Sequence, residues 1–269
     1  MNEITLALTR FWQNKQISLP PMSTLLIAAG IISEQEDAGI LCSYLTHWMQ
    51  TGAVTWQRLS GRSFSLHFEE LQAGATPCEQ ALWDALCALV GEKRTATGKQ
   101  LLQWSKCWEH SGFLRNGRTG SRSLYEWYLE LNDLVSAELE QNGSIQIERV
   151  ETSQRLFHKK QVKISLSSVL QEEVVQIAGW KQFLKQKQPL QHGRDWPVSS
   201  WEACLLFGTI LGLGDEVESQ MQQCCTAEQR EQFSRLSVDH TLFLIRDCCY
   251  QMLANCRRAK ELVEQCSTD

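Results

Sequence analysis

The feature that most constrains this chain is Ala203–Gly214, a nearly continuous apolar segment within the longer stretch Asp195–Met221. If this segment forms a helix, its apolar side chains cover almost the whole circumference of that helix. A helix that is apolar on all faces has to be buried. We therefore predict a central core helix that ends at Gly212 and Gly214 and is followed by a second helix opening with Asp215-Glu216.

The overall composition provides enough apolar material for other elements to pack around such a helix. Of 269 residues, 43% are hydrophobic, and the net charge of −5 gives no global field favouring nucleic acid or an anionic membrane. The longest apolar runs, Met22–Ile32 and Ala203–Gly214, fall short of the ~20 residues of a spanning helix. No basic region followed by a long apolar run marks an export signal. We expect a soluble chain located in the cytoplasm, with the inner face of the membrane as its second expected location.

Two segments of the chain repeat the order of a helix followed by two strands. In the first, a helix over Glu34–Thr51 precedes period-two alternation at 54–58 and 64–68. In the second, a long helix that Ser121 or Ser123 caps runs to Gln141 and precedes alternation at 144–150 and 161–166. Winged-helix domains have this order. The sequence therefore predicts an α+β fold, mainly α, with two winged-helix-like units and a C-terminal helical segment.

The domain boundaries follow from the linkers between these patterns. Leu71–Pro77 is rich in Gly, Ala and Pro, and from Ser167 onward the pattern is helical. We predict a winged-helix-like unit over 1–72, a second helical unit with a β-hairpin over 73–166, and a C-terminal helical domain over 167–269.

The eleven cysteines do not resemble an oxidised disulfide framework. Their number is odd, and Cys224-Cys225 and Cys248-Cys249 are adjacent pairs on apolar helical faces, which indicates reduced thiols. Adjacent helical residues point about 100° apart, whereas zinc-binding cysteines are usually spaced so that both thiolates face one ion. A site formed by these pairs with His240 is therefore disfavoured. We predict no metal site and no cofactor.

Cys107 and His110 are the residues that come closest to a catalytic pair. Their i, i+3 spacing would put a thiol and a base on one helical face. Packing of a helix that also carries Trp104 and Trp108 explains the spacing equally well. No nucleophile elbow, zinc-protease motif, P-loop or dinucleotide-binding motif is present in the sequence. We predict no catalytic residues, and a thiol-dependent enzyme is the weakest of three functional alternatives.

The most basic part of the sequence is Gly91–Arg122. Seven Lys or Arg residues stand there against Glu92 and Glu109, which gives a local net charge of +5. Arg115, Arg118 and Arg122, in a predicted loop, are candidate contacts for phosphates of nucleic acid or lipid headgroups. A loop kept polar for solubility is the competing and favoured interpretation.

Nucleic acid is a disfavoured partner. In a winged helix the helix before the strands normally reads DNA, and the predicted helix Glu34–Thr51 carries no Lys or Arg. Its predicted solvent face consists of Glu34, Gln35, Glu36, Asp37, Ser43, His47 and Gln50. A winged-helix nucleic-acid binder that uses 115–122 and 155–163 stays the main alternative.

Several segments resemble, in the same order, the cytoplasmic part of a family of predicted bacterial membrane proteins, the domain of unknown function 2207. They are Leu19–Met22, Ala38–Val54, Phe64–Phe68 with Cys78-Glu79, Gly179–Leu184 and Trp201–Val217. The resemblance covers about residues 18–224, and Trp201–Val217 is its most specific motif. The chain departs from the family at Cys204 and Phe207, where the family tends to have Tyr. The hairpin-like segment Gly143–Leu166 also occupies the place of the family's membrane helices.

The family has no established activity, so the resemblance implies no catalytic residues. It implies a non-enzymatic interaction or regulatory module at the cytoplasmic side of a membrane system. The expected partner is a protein, and association with a membrane surface or membrane protein is the second expectation. The departures are compatible with either a soluble relative or a part of a longer form.

Overall fold

The computed structural model is mainly helical, with two small antiparallel sheets, and confirms the coarse α+β, mainly α, prediction. The predicted positions Cys107, His110, Arg115, Arg118 and His240 lie outside the described residues. The structure describes residues 24, 38–60, 63–106, 119–154, 157–185, 201, 204–205, 208–209, 211–232 and 241–266.

The helices largely follow the predicted segments. Their bounds are α1 (Ala38–Thr51), α2 (Pro77–Val90), α3 (Gly98–Trp104), α4 (Thr119–Gln141), α5 (Ser168–Lys185), α6 (Gly214–Cys224), α7 (Ala227–Gln232) and α8 (Thr241–Cys266). The strands are β1 (Val54–Arg58), β2 (Phe64–Phe68), β3 (Thr95–Thr97), β4 (Ile145–Gln154) and β5 (Phe157–Leu166). Among the described helices, none is long and apolar enough to cross a bilayer.

The first sheet contains one strand more than the sequence predicts. β1 and β2 pair antiparallel in the predicted positions, with Val54 opposite Phe68. β3 adds to the other edge of β2, with Leu66 opposite Ala96. Because β3 comes after the predicted boundary at residue 72, this sheet joins chain segments from both of the first two predicted units.

The second sheet is a hairpin of ten-residue strands, longer than the predicted 144–150 and 161–166. β4 and β5 stay in register from Ile145 opposite Leu166 to Gln154 opposite Phe157. The charged and polar residues beyond Val150 do not show hydrophobic alternation, so the sequence pattern ended before the backbone pairing does. Within the part of the chain that the structure describes, this hairpin pairs with no other strand.

The helix starts depend on local capping. Thr97 caps α3 with a reciprocal capping box, in which its hydroxyl accepts from the Gln100 N–H and the Gln100 side chain accepts from the Thr97 N–H. The sequence predicts a start of this helix at Thr95 or Thr97, and the structure has it at Thr97. At α4 the structure differs, because the helix begins at Thr119 rather than after Ser121 or Ser123. Ser121 and Ser123 therefore lie inside the helix, and the prediction that one of them caps it is wrong.

Aromatic residues connect α1, α2 and β2 in the core. Trp48, 1% exposed, lies edge-on to Trp83 with ring centroids 5.0 Å apart, and Trp83 meets Phe68 at 5.6 Å. The Trp48 indole N–H donates to the Glu79 carboxylate at 2.8 Å, so the polar end of the ring is satisfied. On other sides of these elements, α2 packs along α4, and α8 packs across α1 and α3.

The described part of the predicted core helix is buried, as expected. Trp201, Cys204, Leu205 and Leu211 are almost inaccessible, and Trp201 is among the largest fully buried side chains. Gly212, at φ +71°, forms the turn after this segment. The prediction that Gly214 also ends the helix is wrong, since Gly214 is the first residue of α6.

Gly208 explains how closely α6 approaches the core helix. A Cβ at position 208 would lie 2.7 Å from a methyl carbon of Val217, so only glycine leaves room for this contact. Asp215 and Glu216 occupy the first turn of α6, as predicted, where carboxylates suit the helix dipole. Asp215 also pairs with Arg246 of α8 and so ties the two helices together.

Candidate functional site

An open groove runs between α3 and α8 and has a volume of about 690 Å³. We call it the lysine groove. It is lined by Lys99, Leu102, Gln103 and Lys106 from the α3 segment and by Gln251, Ala254 and Asn255 from α8. The spacing on each helix is i, i+3, i+4, which brings these side chains to one face.

Asn255 forms the floor of the lysine groove and fixes its two walls. Its side-chain amide donates to the Leu102 carbonyl at 3.3 Å and to the Ser105 hydroxyl at 2.9 Å. Ser105 is fully buried, and its hydroxyl donates to the Leu102 carbonyl at 3.0 Å. The end of α3 is therefore held against α8 by a small polar network rather than by apolar contact alone.

The charge of the groove comes from Lys99 and Lys106. Both are exposed, and neither ammonium group has a hydrogen bond or ion pair with another described residue. No acidic side chain is among the residues that line the groove. Lys99 lies in the first turn of α3, where the helix dipole disfavours a cation by about 0.3–1 kcal/mol. Stability of α3 therefore does not account for Lys99.

Amide groups complete the polar lining. Gln251 donates one of its amide N–H groups to Asp247 at 2.8 Å, one helical turn away, and retains a second donor. Gln103 is exposed and lines the groove one helical turn after Lys99. The groove can therefore offer two ammonium groups and several neutral donors to a ligand that accepts hydrogen bonds.

The described cysteines are thiols, and most of them are buried. Burial is the main cause that raises the pKa of Cys249 on α8, and the neighbouring Cys42 thiol of α1 acts in the same direction. Burial also raises the pKa of Cys248 to about 12. A nucleophilic thiol needs the opposite, a lowered pKa and access to substrate. Cys248 and Cys249, which the sequence predicts to be reduced thiols on an apolar helical face, are free and buried.

The adjacent cysteines of α8 point to different neighbours. The Cys248 thiol lies 3.7 Å from the Gly98 carbonyl and 3.9 Å from the Met252 sulfur, whereas Cys249 faces Cys42. This divergence is what the helical geometry predicts for consecutive residues. Among the described residues, no group of three His, Cys, Asp or Glu side chains is arranged to hold a metal ion.

A second cluster of ionisable groups surrounds the start of α2. The Glu138 carboxylate, from α4, accepts the backbone N–H of Cys78 at 3.0 Å. Burial raises the pKa of the Cys78 thiol to about 12, and the hydrogen bond and charge of Glu138 act in the same direction. Burial raises the pKa of Tyr44 as well, assisted by the charges of Glu79 and Glu138. These shifts keep the thiol and the phenol protonated. The hydrogen bond from the Cys78 N–H to Glu138 joins the start of α2 to α4.

The predicted anion contacts are only partly within the described structure. Arg122, expected in a loop, lies in the first turns of α4 because that helix starts earlier than predicted. Lys99 and Lys106 belong to the basic segment that the sequence singled out, yet the sequence did not pair them with Gln251 and Asn255. Gln251 and Asn255 are polar residues spaced i, i+4 on α8, which is the signal that the sequence contains. Only the packing of α8 on α3 shows that they belong to the same groove as Lys99 and Lys106.

No family model, curated protein or solved structure matched the chain. The resemblance to the domain of unknown function 2207 therefore stays a prediction, and the functional argument depends on the residues themselves.

Proposed function

We propose that this chain is a non-enzymatic interaction module that recognises an anionic group of its partner through the lysine groove. The observation that carries the proposal is the pair Lys99 and Lys106, whose exposed ammonium groups have no partners among the described residues, in a groove with no acidic lining. Isolated cations on a concave surface attract anions, and no acidic residue of the lining neutralises them.

The state of the thiols supports a non-enzymatic role. Catalytic cysteines lie in accessible surroundings that lower their pKa. Cys78, Cys204, Cys248 and Cys249 are buried, and burial raises the pKa of each. The thiol-enzyme alternative therefore depends on Cys107 and His110, which lie outside the described residues. If Cys107 titrates with a thiol probe well below the ~8.5 of free cysteine, that alternative gains support over our proposal.

The expected setting is the cytoplasmic side of a membrane system. The resemblance of Trp201–Val217 and the preceding segments to the domain of unknown function 2207 supports this location. It makes a protein partner or the membrane surface the natural source of the anionic group. Phospholipid headgroups and acidic protein segments both offer such groups at a membrane.

The finer proposal on the fold is that both helix–hairpin units are winged-helix-like. The order α1, β1, β2 and the order α4, β4, β5 support it, since each helix leads through a glycine at positive φ into an antiparallel hairpin. In this interpretation β4 and β5 form an unusually long wing.

Nucleic-acid binding is the second candidate function, and the length of the β4–β5 hairpin favours it. β5 contains Lys159, Lys160 and Lys163, and β4 contains Arg149. The helices that precede the two hairpins argue against it. α1 has no Lys or Arg and is covered by α8, and Ser43, predicted on its solvent face, is fully buried and bonds to the Gly39 carbonyl. Arg122 is the only basic residue of α4.

Two anionic probes test the proposal. The first is a set of vesicles of phosphatidylcholine with and without phosphatidylglycerol, assayed by sedimentation. The second is a labelled oligoglutamate peptide, assayed by fluorescence anisotropy. We expect salt-sensitive binding of at least one probe to the wild type and clear loss in Lys99→Glu/Lys106→Glu. A matched variant, Lys93→Glu/Lys260→Glu, changes the charge equally at exposed positions outside the groove and should keep binding.

The same preparation discriminates the nucleic-acid candidate. A salt-sensitive gel shift of duplex DNA that survives Lys99→Glu/Lys106→Glu and disappears in Lys159→Glu/Lys160→Glu/Lys163→Glu would favour the long hairpin as the binding element. Absence of binding to both the vesicles and the peptide would overturn the proposed use of the lysine groove.

A further inference from the structure

We infer that the lysine groove binds a phosphate monoester, as the phosphate of a small metabolite or of a phospholipid headgroup. The inference rests on the proposed function, because it names the chemical class that the same groove takes. It depends on the number, type and spacing of the donors that line the groove.

The cations of the groove suit phosphate better than carboxylate. A phosphate monoester carries about −1.5 to −2 charges near neutral pH and three acceptor oxygens. Two lysines can share such a group as point charges, and a charge near −2 balances two ammonium groups better than the single charge of a carboxylate does. Lys99 and Lys106 line the groove, and no arginine does. Lys99 lies in the first turn of α3 and Lys106 lies two residues after its end, so the two lysines flank the α3 side of the groove.

Neutral donors are placed to take the remaining phosphate oxygens. Gln103 lies one turn after Lys99 on the same face, and Gln251 faces it from α8 with one N–H already given to Asp247. The Asp247 carboxylate therefore holds the Gln251 amide in place. Asp247 itself is not among the residues that line the groove.

The size of the groove indicates more than a bare ion. Its volume of about 690 Å³ lies within the range of small-molecule sites, about 300–1,000 Å³. Leu102, half-buried, and Ala254 provide apolar contact for the organic part of an ester. The network of Asn255 with Leu102 and Ser105 fixes the floor before any ligand arrives, which reduces the ordering cost of binding.

Titration calorimetry with glycerol 3-phosphate on the full chain tests this inference. Exposed ion pairs contribute about 0.2–1 kcal/mol each. We therefore expect Lys99→Gln/Lys106→Gln to raise the Kd by between about twofold and thirtyfold. Lys93→Gln/Lys260→Gln should leave the Kd unchanged. Thermal unfolding of each variant without ligand verifies that these exposed substitutions keep the fold.

A parallel arm with vesicles of phosphatidylcholine and phosphatidic acid separates the two sources of the phosphate. Binding of both probes with loss in the groove variant assigns the site to the phosphate group itself, and binding of the vesicles alone assigns it to the lipid headgroup. Either result supports the inference.

Other outcomes overturn it, and they differ from failure of the proposed function. If oligoglutamate binds through the lysines and neither phosphate probe does, the groove is a carboxylate site and the proposed function survives. If phosphate binding is unchanged in Lys99→Gln/Lys106→Gln, phosphate binds elsewhere. If no anionic probe binds at all, the inference and the proposed function fail together.

Discussion

The two hairpins of this protein begin from the same local arrangement and end in different environments. Each follows a helix, and each is entered through a glycine at positive φ, Gly52 at +84° and Gly143 at +73°. β2 then gains β3 as a third strand and buries Phe64, Leu66 and Phe68. The β4–β5 hairpin pairs only with itself among the described residues, and Ile164 is 54% exposed.

The comparison shows that local sequence decides whether a hairpin forms. The strands and helices that pack against the hairpin decide whether it becomes part of the core. A two-stranded hairpin alone is marginal in water, and a third strand or a covering helix stabilises it. The first hairpin has both, and it acts as a wall of the core. The second has a buried base at Ile145 and strands that extend about 30 Å. Beyond that base, it gains no third strand among the described residues.

The largest expected difference between the hairpins lies in their apolar side chains. Phe68→Ala should lower the free energy of unfolding by about 3–5 kcal/mol, because Phe68 is fully buried and packs against Trp83. Ile164→Ala should change it by less than about 0.5 kcal/mol. Urea unfolding followed by tryptophan fluorescence measures both. Equal losses in the free energy of unfolding would mean that Ile164 of the second hairpin is buried in solution.

Glu138 tests how firmly α4, which carries the second hairpin, is joined to the first. Glu138→Ala should destabilise the protein by about 1–3 kcal/mol, since it removes the acceptor of the buried Cys78 N–H. Glu138→Gln retains an acceptor oxygen and serves as the control. Thermal unfolding is the measurement, and a loss as large in Gln as in Ala would show that the charge at the start of α2, rather than the hydrogen bond, is what matters.

The two glycines should behave alike in spite of their different surroundings. A Cβ at Gly52 or Gly143 would meet no atom within 4 Å, so the cost of an alanine there comes only from the backbone. Gly52→Ala and Gly143→Ala should each cost about 1–2 kcal/mol. Asparagine, which tolerates this conformation better, should recover part of the loss at both positions. A large difference between the two alanine variants would contradict the view that the two units share one local design.

The predicted parts of the fold are those whose signals are local. The strands Val54–Arg58 and Phe64–Phe68 follow from alternation, and Thr97 follows from capping chemistry. β3 has three residues, too few to show a period. It forms because it lies beside the free edge of β2, and this proximity depends on how α2 positions the segment that follows it.

The lysine groove shows the same limit at the level of function. The sequence identified a basic segment that includes Lys99 and Lys106, but it suggested phosphate contacts only for Arg115, Arg118 and Arg122. It could not add Gln251 and Asn255, which lie about 150 residues further along the chain. A site formed by two helices that are distant in sequence depends on tertiary packing, which no periodicity within either helix specifies.

The smallest expected effect is a dependence of stability on pH that belongs to the first unit alone. Burial lowers the pKa of His47 on α1, with the charge of Glu79 acting in the opposite direction. Below the usual pKa of about 6.5 the unfolded state binds a proton more readily than the folded state, so stability should fall as the pH drops through this region. His47→Gln should flatten the dependence. Hydrogen exchange at pH 5 and pH 7 should show the change in β1 and β2, and an equal change confined to β4 and β5 would assign it to another group.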